Sequence, residues 1–243
     1  MNAIIVDKVS KRFRIPAKKK TTMFQYVVGF MKRQYNYEEL WALKDVSFVL
    51  KRGETFGIIG KNGSGKTTLM KILAKVMYPD TGSVTVNGKV AAFLGLGVGF
   101  QPELSARDNV YLYSSILGIG RRVAREKYDA IFDFAELKQF ENVRLKNFSS
   151  GMTMRLAFAT AVHVELDTML LDEVLAVGDE AFQKKCIDKI NEFREQGKTI
   201  VFVSHNLQAV RNLCQRSMLL HNGRIVSLGD TEGVIKEYQA LRS

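Results

Sequence analysis

Residues 60–67 read G-K-N-G-S-G-K-T, which has the form G-x-x-x-x-G-K-[ST] of a phosphate-binding loop. It follows the apolar run 55–59, which is typical of a buried strand, and precedes residues 68–75, whose apolar positions recur at helical spacing. Glycines at such a strand-to-helix turn let backbone N–H groups point at phosphate oxygens. The sequence therefore predicts a nucleoside triphosphate site formed by Gly60, Lys61, Asn62, Gly63, Ser64, Gly65, Lys66, Thr67 and Thr68.

Charged and hydroxyl side chains in two places predict the chemistry at that loop. Lys66 supplies a positive charge for the β- and γ-phosphates, and the Thr67 hydroxyl can ligate Mg²⁺. About a hundred residues later, T-M-L-L-D-E at residues 168–173 is an apolar strand that ends in two carboxylates. Alone this pattern is common and structural, but after a phosphate loop it predicts that Asp172 holds Mg²⁺ and that Glu173 activates water as a general base.

Composition limits the kind of protein around the site. With 243 residues, 46% hydrophobic and 25% charged, the chain is an ordinary globular one of one large or two small domains. Cys186 and Cys214 are far apart, which favours two reduced thiols in a cytosolic protein. No apolar run approaches the roughly 18 to 20 residues of a membrane span, so transport through a membrane would need another polypeptide.

The net charge of +11 is concentrated near the N-terminus. Residues 1–52 hold twelve Lys and Arg against four Asp and Glu. Such a cluster suits nucleic acid, a phospholipid leaflet or an anionic substrate, and it is equally compatible with a solvated face that keeps the protein soluble.

The order of predicted elements is that of an α/β protein. Strands are expected at residues 3–9 and 42–50, a hairpin at 83–86 and 89–94 joined by Asn87-Gly88, and helices from about 105 to 164. Further strands at 168–171, 199–203 and 218–220 alternate with helices, and a short helix is expected at 232–241. This pattern predicts a parallel-sheet core with an inserted helical segment.

The motif F-S-S-G-M at residues 148–152 opens an amphipathic helix and predicts a second anion site at a helix N-terminus. One chain does not need two distant phosphate sites, whereas a head-to-tail dimer does. With the phosphate loop upstream, this motif resembles the signature of the ATP-binding cassette (ABC) family. V-G-D at residues 177–179 and Ser204-His205 occupy the places of that family's D-loop and switch histidine.

The ABC resemblance covers almost the whole chain and carries several expectations. It implies a RecA-like P-loop core with an antiparallel β subdomain and a helical subdomain at about 101–164. It implies a homodimer that sandwiches two ATP molecules with Mg²⁺, in which Ser149, Ser150 and Gly151 contact the partner's nucleotide and His205 contacts the γ-phosphate. Gln101 is the candidate Q-loop metal contact. Phe13 is the candidate that stacks on adenine, with Trp41 and Tyr37 as rivals.

Three stretches look like one ABC subfamily, the ATPase subunits of exporters of O-antigen, capsular polysaccharide and teichoic acid. They are F-S-S-G-M, V-L-A-V-G-D at 174–179 and G-F-Q-P-E-L-S at 99–105, although Ser150 and Met152 depart from the usual signature residues. The resemblance implies a separate permease and a peripheral position on the cytoplasmic face of the cell membrane. The subfamily's C-terminal carbohydrate-binding module is not expected here.

An insertion at residues 16–40 favours the exporter subfamily over a generic ABC subunit. Its apolar residues Phe24, Val27, Val28 and Met31 recur at helical spacing between basic ends, Lys18-Lys19-Lys20 and Lys32-Arg33. The pattern indicates a helix packed on its own domain or one at an anionic membrane surface or lipid-linked glycan. Two rival classes remain: a soluble ABC ATPase acting on ribosomes or nucleic acid, and a P-loop kinase or GTPase. No nucleic acid partner is expected on the favoured interpretation.

Overall fold

A computed structural model describes residues 1–16, 37–93, 99–163, 165–172 and 178–241. The strands are β1 (Asn2–Pro16), β2 (Tyr37–Lys51), β3 (Thr55–Ile59), β4 (Thr81–Val86), β5 (Val90–Phe93), β6 (Thr168–Asp172), β7 (Thr199–Val203), β8 (Arg216–His221) and β9 (Arg224–Asp230). The helices are α1 (Lys66–Leu73), α2 (Ala106–Ile116), α3 (Arg121–Glu126), α4 (Tyr128–Ala135), α5 (Ser150–Val162), α6 (Glu180–Glu195), α7 (Leu207–Leu213) and α8 (Thr231–Ala240). Two single 3₁₀ turns lie at Lys138–Phe140 and Leu145–Asn147.

The larger sheet has the strand order β5-β6-β7-β3-β8-β9, with β9 antiparallel and the other pairs parallel. Its central strands β3 and β7 are buried at every residue. Continuous burial explains why these strands are uninterrupted apolar runs, since both faces of a parallel sheet are covered. The prediction of a parallel-sheet core is confirmed, and the C-terminal helix lies within one residue of its expected bounds.

The smaller sheet is antiparallel and has the order β2-β1-β4. Strand β2 begins at Tyr37 instead of residue 42, and Pro16 pairs with Tyr37 at the end of the β1–β2 ladder. The last residues of the predicted 16–40 insertion are therefore strand. Its helical stripe of Phe24, Val27, Val28 and Met31, and its basic residues, lie outside the described residues.

The hairpin predicted at residues 83–94 is wrong. Strand β4 pairs with β1 in the smaller sheet, and β5 pairs with β6 in the larger one. Asp167 redirects the chain after Gly88, because its carboxylate accepts the Lys89 N–H at 2.8 Å. Phe93 is fully buried and packs on Phe158 of α5, so burial of β5 in the larger core outweighs the local turn signal.

Helices α2 to α5 form a separate apolar cluster beside the sheet. Ala106 and Val110 of α2, Phe132 of α4 and Leu156 of α5 are fully buried within it. Ser105 caps α2 by accepting the Asp108 N–H at 3.1 Å. In the parts of the chain that the structure describes, no helix is long and apolar enough to cross a membrane.

Both cysteines are buried in the larger core and form no disulfide. Burial raises the pKa of the Cys186 thiol and that of the Cys214 thiol to about 12. Both thiols therefore stay protonated and unreactive near neutral pH.

Candidate functional site

The predicted phosphate loop, Asp172 and His205 come together because three adjacent parallel strands end at one edge of the sheet. Asp172 of β6 pairs with Val203 of β7, which pairs with Ile58 of β3. The phosphate loop continues from β3, and Ser204-His205 continue from β7. Ligand sites at the carboxyl ends of parallel strands are usual for open α/β sheets.

A cavity of about 550 Å³ lies at this edge. Its floor is the loop and the start of α1, and one wall is the end of the β1–β2 ladder. The lining residues are Phe13, Leu40, Trp41, Ala42, Asn62, Gly63, Gly65, Lys66, Thr67, Thr68 and Asp172. Most of the residues predicted from the phosphate-loop motif therefore contribute to one site.

The loop backbone requires glycine at the start of α1. Gly65 has φ +108°, and a Cβ there would lie 2.3 Å from the Ala42 carbonyl oxygen. Gly65 also leaves α1 without a side-chain cap, and the first turn of α1 contains no acidic residue. Uncapped N–H groups at a helix N-terminus, with the positive end of its dipole, form an anion site.

Two polar groups inside the loop also fit a bound phosphate chain. The Lys66 ammonium donates to the carbonyl oxygens of Gly60, at 2.7 Å, and Lys61, at 3.0 Å. These bonds hold the positive charge inside the loop. The buried hydroxyl of Ser64 has no hydrogen-bond partner among the described residues, and such buried polar atoms usually find one.

Of the three predicted metal ligands, two line the cavity and one does not. Thr67 and Asp172 line the same cavity, and Mg²⁺ needs only one or two carboxylates beside substrate phosphates. The described residues contain no cluster of three or more His, Cys, Asp or Glu that would suit another metal. Gln101 does not line the cavity; its side chain is exposed, and its backbone N–H donates to Asn109 Oδ1 at 2.6 Å.

The aromatic wall comes from the β1–β2 ladder. Phe13 pairs with Leu40, so these side chains share one sheet face, and Arg12 pairs with Trp41. Both Phe13 and Trp41 line the cavity, whereas the rival Tyr37 does not. Leu40 and Ala42 line it as well and were not predicted, because their place depends on the register of two strands distant in sequence.

Asp80 fixes the position of the strand that carries Phe13. Its carboxylate accepts the Arg12 backbone N–H at 2.7 Å and pairs with the Lys11 ammonium at 2.9 Å. The Arg12 N–H, followed by Lys11, lowers the pKa of Asp80 below its ordinary value. The sequence alone did not reveal this role, since the contacts of Asp80 are 69 and 68 positions away.

The structure describes only one of the two predicted catalytic residues, His205. His205 follows β7 at the same edge of the sheet, is exposed and is not among the residues that line the cavity. The Ser204 hydroxyl accepts the Asn206 N–H at 3.0 Å in the same turn. Glu173 lies outside the described residues, directly after Asp172.

The second predicted anion site forms the N-terminus of α5 and does not line the cavity. Ser149 is the N-cap residue, and its hydroxyl accepts the Met152 N–H at 3.2 Å. Ser149 and Ser150 are exposed, and a Cβ on Gly151 would meet only the Ser149 hydroxyl, at 3.8 Å. The motif therefore forms a small, open surface outside this cavity.

Arg155, one turn further along α5, anchors that helix. Its guanidinium pairs with Asp179 at 2.6 Å and Glu136 at 3.1 Å, and lies 4.8 Å from the Phe182 ring centroid. Asp179 caps α6 by accepting the Phe182 N–H at 2.9 Å, and this bond, with Arg155, lowers the pKa of Asp179. Three separate segments meet at Arg155, which the sequence alone did not reveal.

The fold and this site define a P-loop nucleotide-binding domain. The sequence pattern described as ABC transporter matches residues 43–176. The chain belongs to the ABC transporter family and is one of its ATP-binding, ATP-hydrolysing subunits. This confirms the resemblance inferred from the motifs.

Curated relatives are similar over most of the chain. It is 43% identical over 198 residues to the O-antigen export system ATP-binding protein RfbB of Klebsiella pneumoniae, covering 82% of this chain and 80% of that protein. It is 42% identical over 209 residues to the teichoic acids export ATP-binding protein TagH of Listeria monocytogenes, covering 86% of this chain and 62% of that protein.

Solved structures share the fold. An ATP-binding subunit of an ABC transporter matches with a TM-score of 0.76 at 21% identity, covering 98% of this chain and 93% of the other. The bacterial ABC transporter cassette MJ0796, whose structure is described as dimeric, matches with a TM-score of 0.73 at 23% identity, covering 94% and 98%. At these identities the likeness shows the fold alone.

Proposed function

We propose that this chain powers the export of a lipid-linked cell-surface polysaccharide, such as O-antigen, capsule or teichoic acid, across the cytoplasmic membrane. It works as a peripheral subunit on the cytoplasmic face, beside a separate membrane-embedded permease. The observation that carries the proposal is the 43% identity to an O-antigen export ATP-binding protein over 82% of the chain. The cavity at the phosphate loop supplies the ATP site that such a subunit needs.

At this site the chain's own groups bind and orient ATP. The uncapped N–H groups of α1 and the Lys66 ammonium hold the phosphates, while Phe13 or Trp41 stacks on adenine. Thr67 and Asp172 hold Mg²⁺, which neutralises charge on the phosphates when bound. Glu173 takes the proton of the attacking water, and His205 contacts the γ-phosphate.

Hydrolysis takes place in a head-to-tail homodimer that encloses two ATP molecules. The open surface of Ser149, Ser150 and Gly151 contacts the nucleotide of the partner subunit, since it lies away from the cavity of its own chain. ATP closes the dimer, hydrolysis reopens it, and the permease converts this movement into transport.

The insertion contributes to transport rather than to hydrolysis. The β1–β2 ladder that carries it ends at the Pro16–Tyr37 pair, close to the cavity wall of Phe13 and Leu40. Replacing Lys18, Lys19, Lys20, Lys32 and Arg33 with Gln should leave basal ATPase nearly unchanged and reduce surface glycan, because favourable contacts with an anionic membrane surface or glycan are lost. Unchanged export at normal protein level would refute this role.

The direct test of the export function is ATPase of the chain purified with its permease. Lipid-linked O-antigen, capsular and teichoic acid precursors are added separately, and the lipid carrier alone serves as the control. One glycan class should stimulate ATP turnover, and Glu173→Gln should remove that stimulation. If none of the three classes stimulates turnover, while basal ATPase is intact, the export proposal fails although the ATPase assignment stands.

A further inference from the structure

A second basic surface lies at one end of the helical cluster, where α2 ends and α3 begins. Residues 116–127 contain four basic residues against the single acidic Glu126. All four basic residues are exposed: Arg121, Arg122, Arg125 and Lys127. Together with Tyr111 and Ile116, these residues are called the α2–α3 tip.

Among the described residues, most charges of the tip have no close acidic partner. Glu126 approaches Arg122 only to 3.7 Å, and the Arg122 side chain remains 91% exposed. Arg121, Arg125 and Lys127 form no ion pair with any residue in the ranges that the structure describes. Elsewhere arginines are paired closely, as Arg155 is with Asp179 at 2.6 Å. The tip therefore keeps its charge available to a partner outside the chain.

Apolar groups border the same charges. Ile116, the last residue of α2, is 55% exposed. The Arg121 guanidinium lies 5.9 Å from the centroid of the Tyr111 ring, which is stacked on Tyr128 at 5.8 Å. A surface that combines unpaired cations with an exposed aliphatic side chain and a supported aromatic ring has the chemistry of interfacial membrane binding.

We infer that the α2–α3 tip docks on the anionic phospholipid headgroups of the membrane beside which the subunit works. Phosphodiester groups complement the four cations, and Ile116 can enter the boundary between headgroups and acyl chains. An acidic segment without apolar side chains would match the charges but would give Ile116 no apolar environment. The inference rests on the proposed function only in placing the chain at a membrane.

The experiment measures sedimentation of the full chain with vesicles of phosphatidylcholine, with and without phosphatidylglycerol. The triple variant Arg121→Gln/Arg125→Gln/Lys127→Gln should lose roughly tenfold in affinity for the anionic vesicles. The matched control Lys89→Gln/Lys184→Gln/Lys236→Gln removes the same charge from exposed lysines elsewhere and should lose no more than about twofold. Ile116→Ser should weaken binding while leaving its salt dependence unchanged.

Equal losses in the triple variant and its control would overturn the inference, because binding would then follow net charge alone. Unchanged vesicle affinity with lost co-purification of the permease would also overturn it and assign the tip to a protein partner. Melting temperature and basal ATPase should match those of the unaltered chain in every variant. Because no transport is measured, failure here leaves the export proposal untouched.

Discussion

Two helices of this protein begin at predicted anion-binding motifs but satisfy their first N–H groups differently. Helix α1 follows Gly65, has no side-chain cap and starts inside a cavity with the buried Lys66. Helix α5 follows Ser149, whose hydroxyl accepts the Met152 N–H, and it starts on an exposed surface. The first N-terminus has no side-chain cap, so a phosphate can accept its N–H groups, whereas the second has its own cap and is open to another molecule.

This difference separates nucleotide binding by one chain from the assembly of two chains into a dimer. The α1 site should be necessary for nucleotide to bind a monomer at all. The α5 site should become important only when a partner's nucleotide approaches it. Substitutions at the two N-termini can therefore show whether the two sites act independently.

The largest effect is expected at α1. Lys66→Ala removes the ammonium that would pair with the β- and γ-phosphates, so the affinity of the monomer for ATP should fall about a hundredfold or more. Fluorescent nucleotide titration measures it. Lys71→Ala is the control, because this exposed lysine lies on the same helix and does not line the cavity. Near-normal ATP affinity in Lys66→Ala would remove Lys66 from the phosphate site.

At α5 we expect a loss of ATP turnover without a loss of ATP binding. Ser149→Arg places a large side chain on the open surface, so ATPase should fall to background while the monomer binds ATP with unchanged affinity. Titration and ATPase measured on one preparation separate the two quantities. Weakened ATP binding by the monomer would show that the two N-termini are not independent.

The smallest effect is expected from loss of the α5 cap. Ser149→Ala should lower the free energy of unfolding by about 1 kcal/mol and the melting temperature by about 2–4 °C. Ser105→Ala is the matched control, since Ser105 caps α2 in the same way. Both variants should lose similar stability, but only Ser149→Ala should require more ATP for turnover. The same ATP dependence in both variants would limit Ser149 to capping.

Local motifs made the nucleotide site predictable. Residues 60–67 carry their own strand, turn and helix signals, and the strand ending at Asp172 follows from its apolar run. Long-range packing could not be predicted in the same way. The Asn87-Gly88 turn suggested a hairpin, yet β5 joins the larger sheet because Ala91 and Phe93 are buried there.

Strand register and ion pairing explain the remaining differences between the predicted and the observed contacts. Leu40 lines the cavity only because β2 starts at Tyr37 and pairs Leu40 with Phe13. Arg155 joins α5 to Asp179 and Glu136, which are 24 and 19 positions away, and no spacing in the sequence marks such contacts. Ser149 caps α5 and His205 follows β7, and the roles of both residues remain predictions.

The most direct test of the two-site ATP sandwich is the mass of Glu173→Gln in solution with and without ATP. Gln keeps the shape of Glu but cannot take a proton, so the variant should bind ATP without hydrolysing it. We expect 27.4 kDa without ATP and twice that mass with ATP, and the single-chain mass in both conditions once Ser149→Arg is added. A Glu173→Gln chain that binds ATP yet stays at 27.4 kDa, or a dimer that Ser149→Arg does not disrupt, would contradict the two-site ATP sandwich.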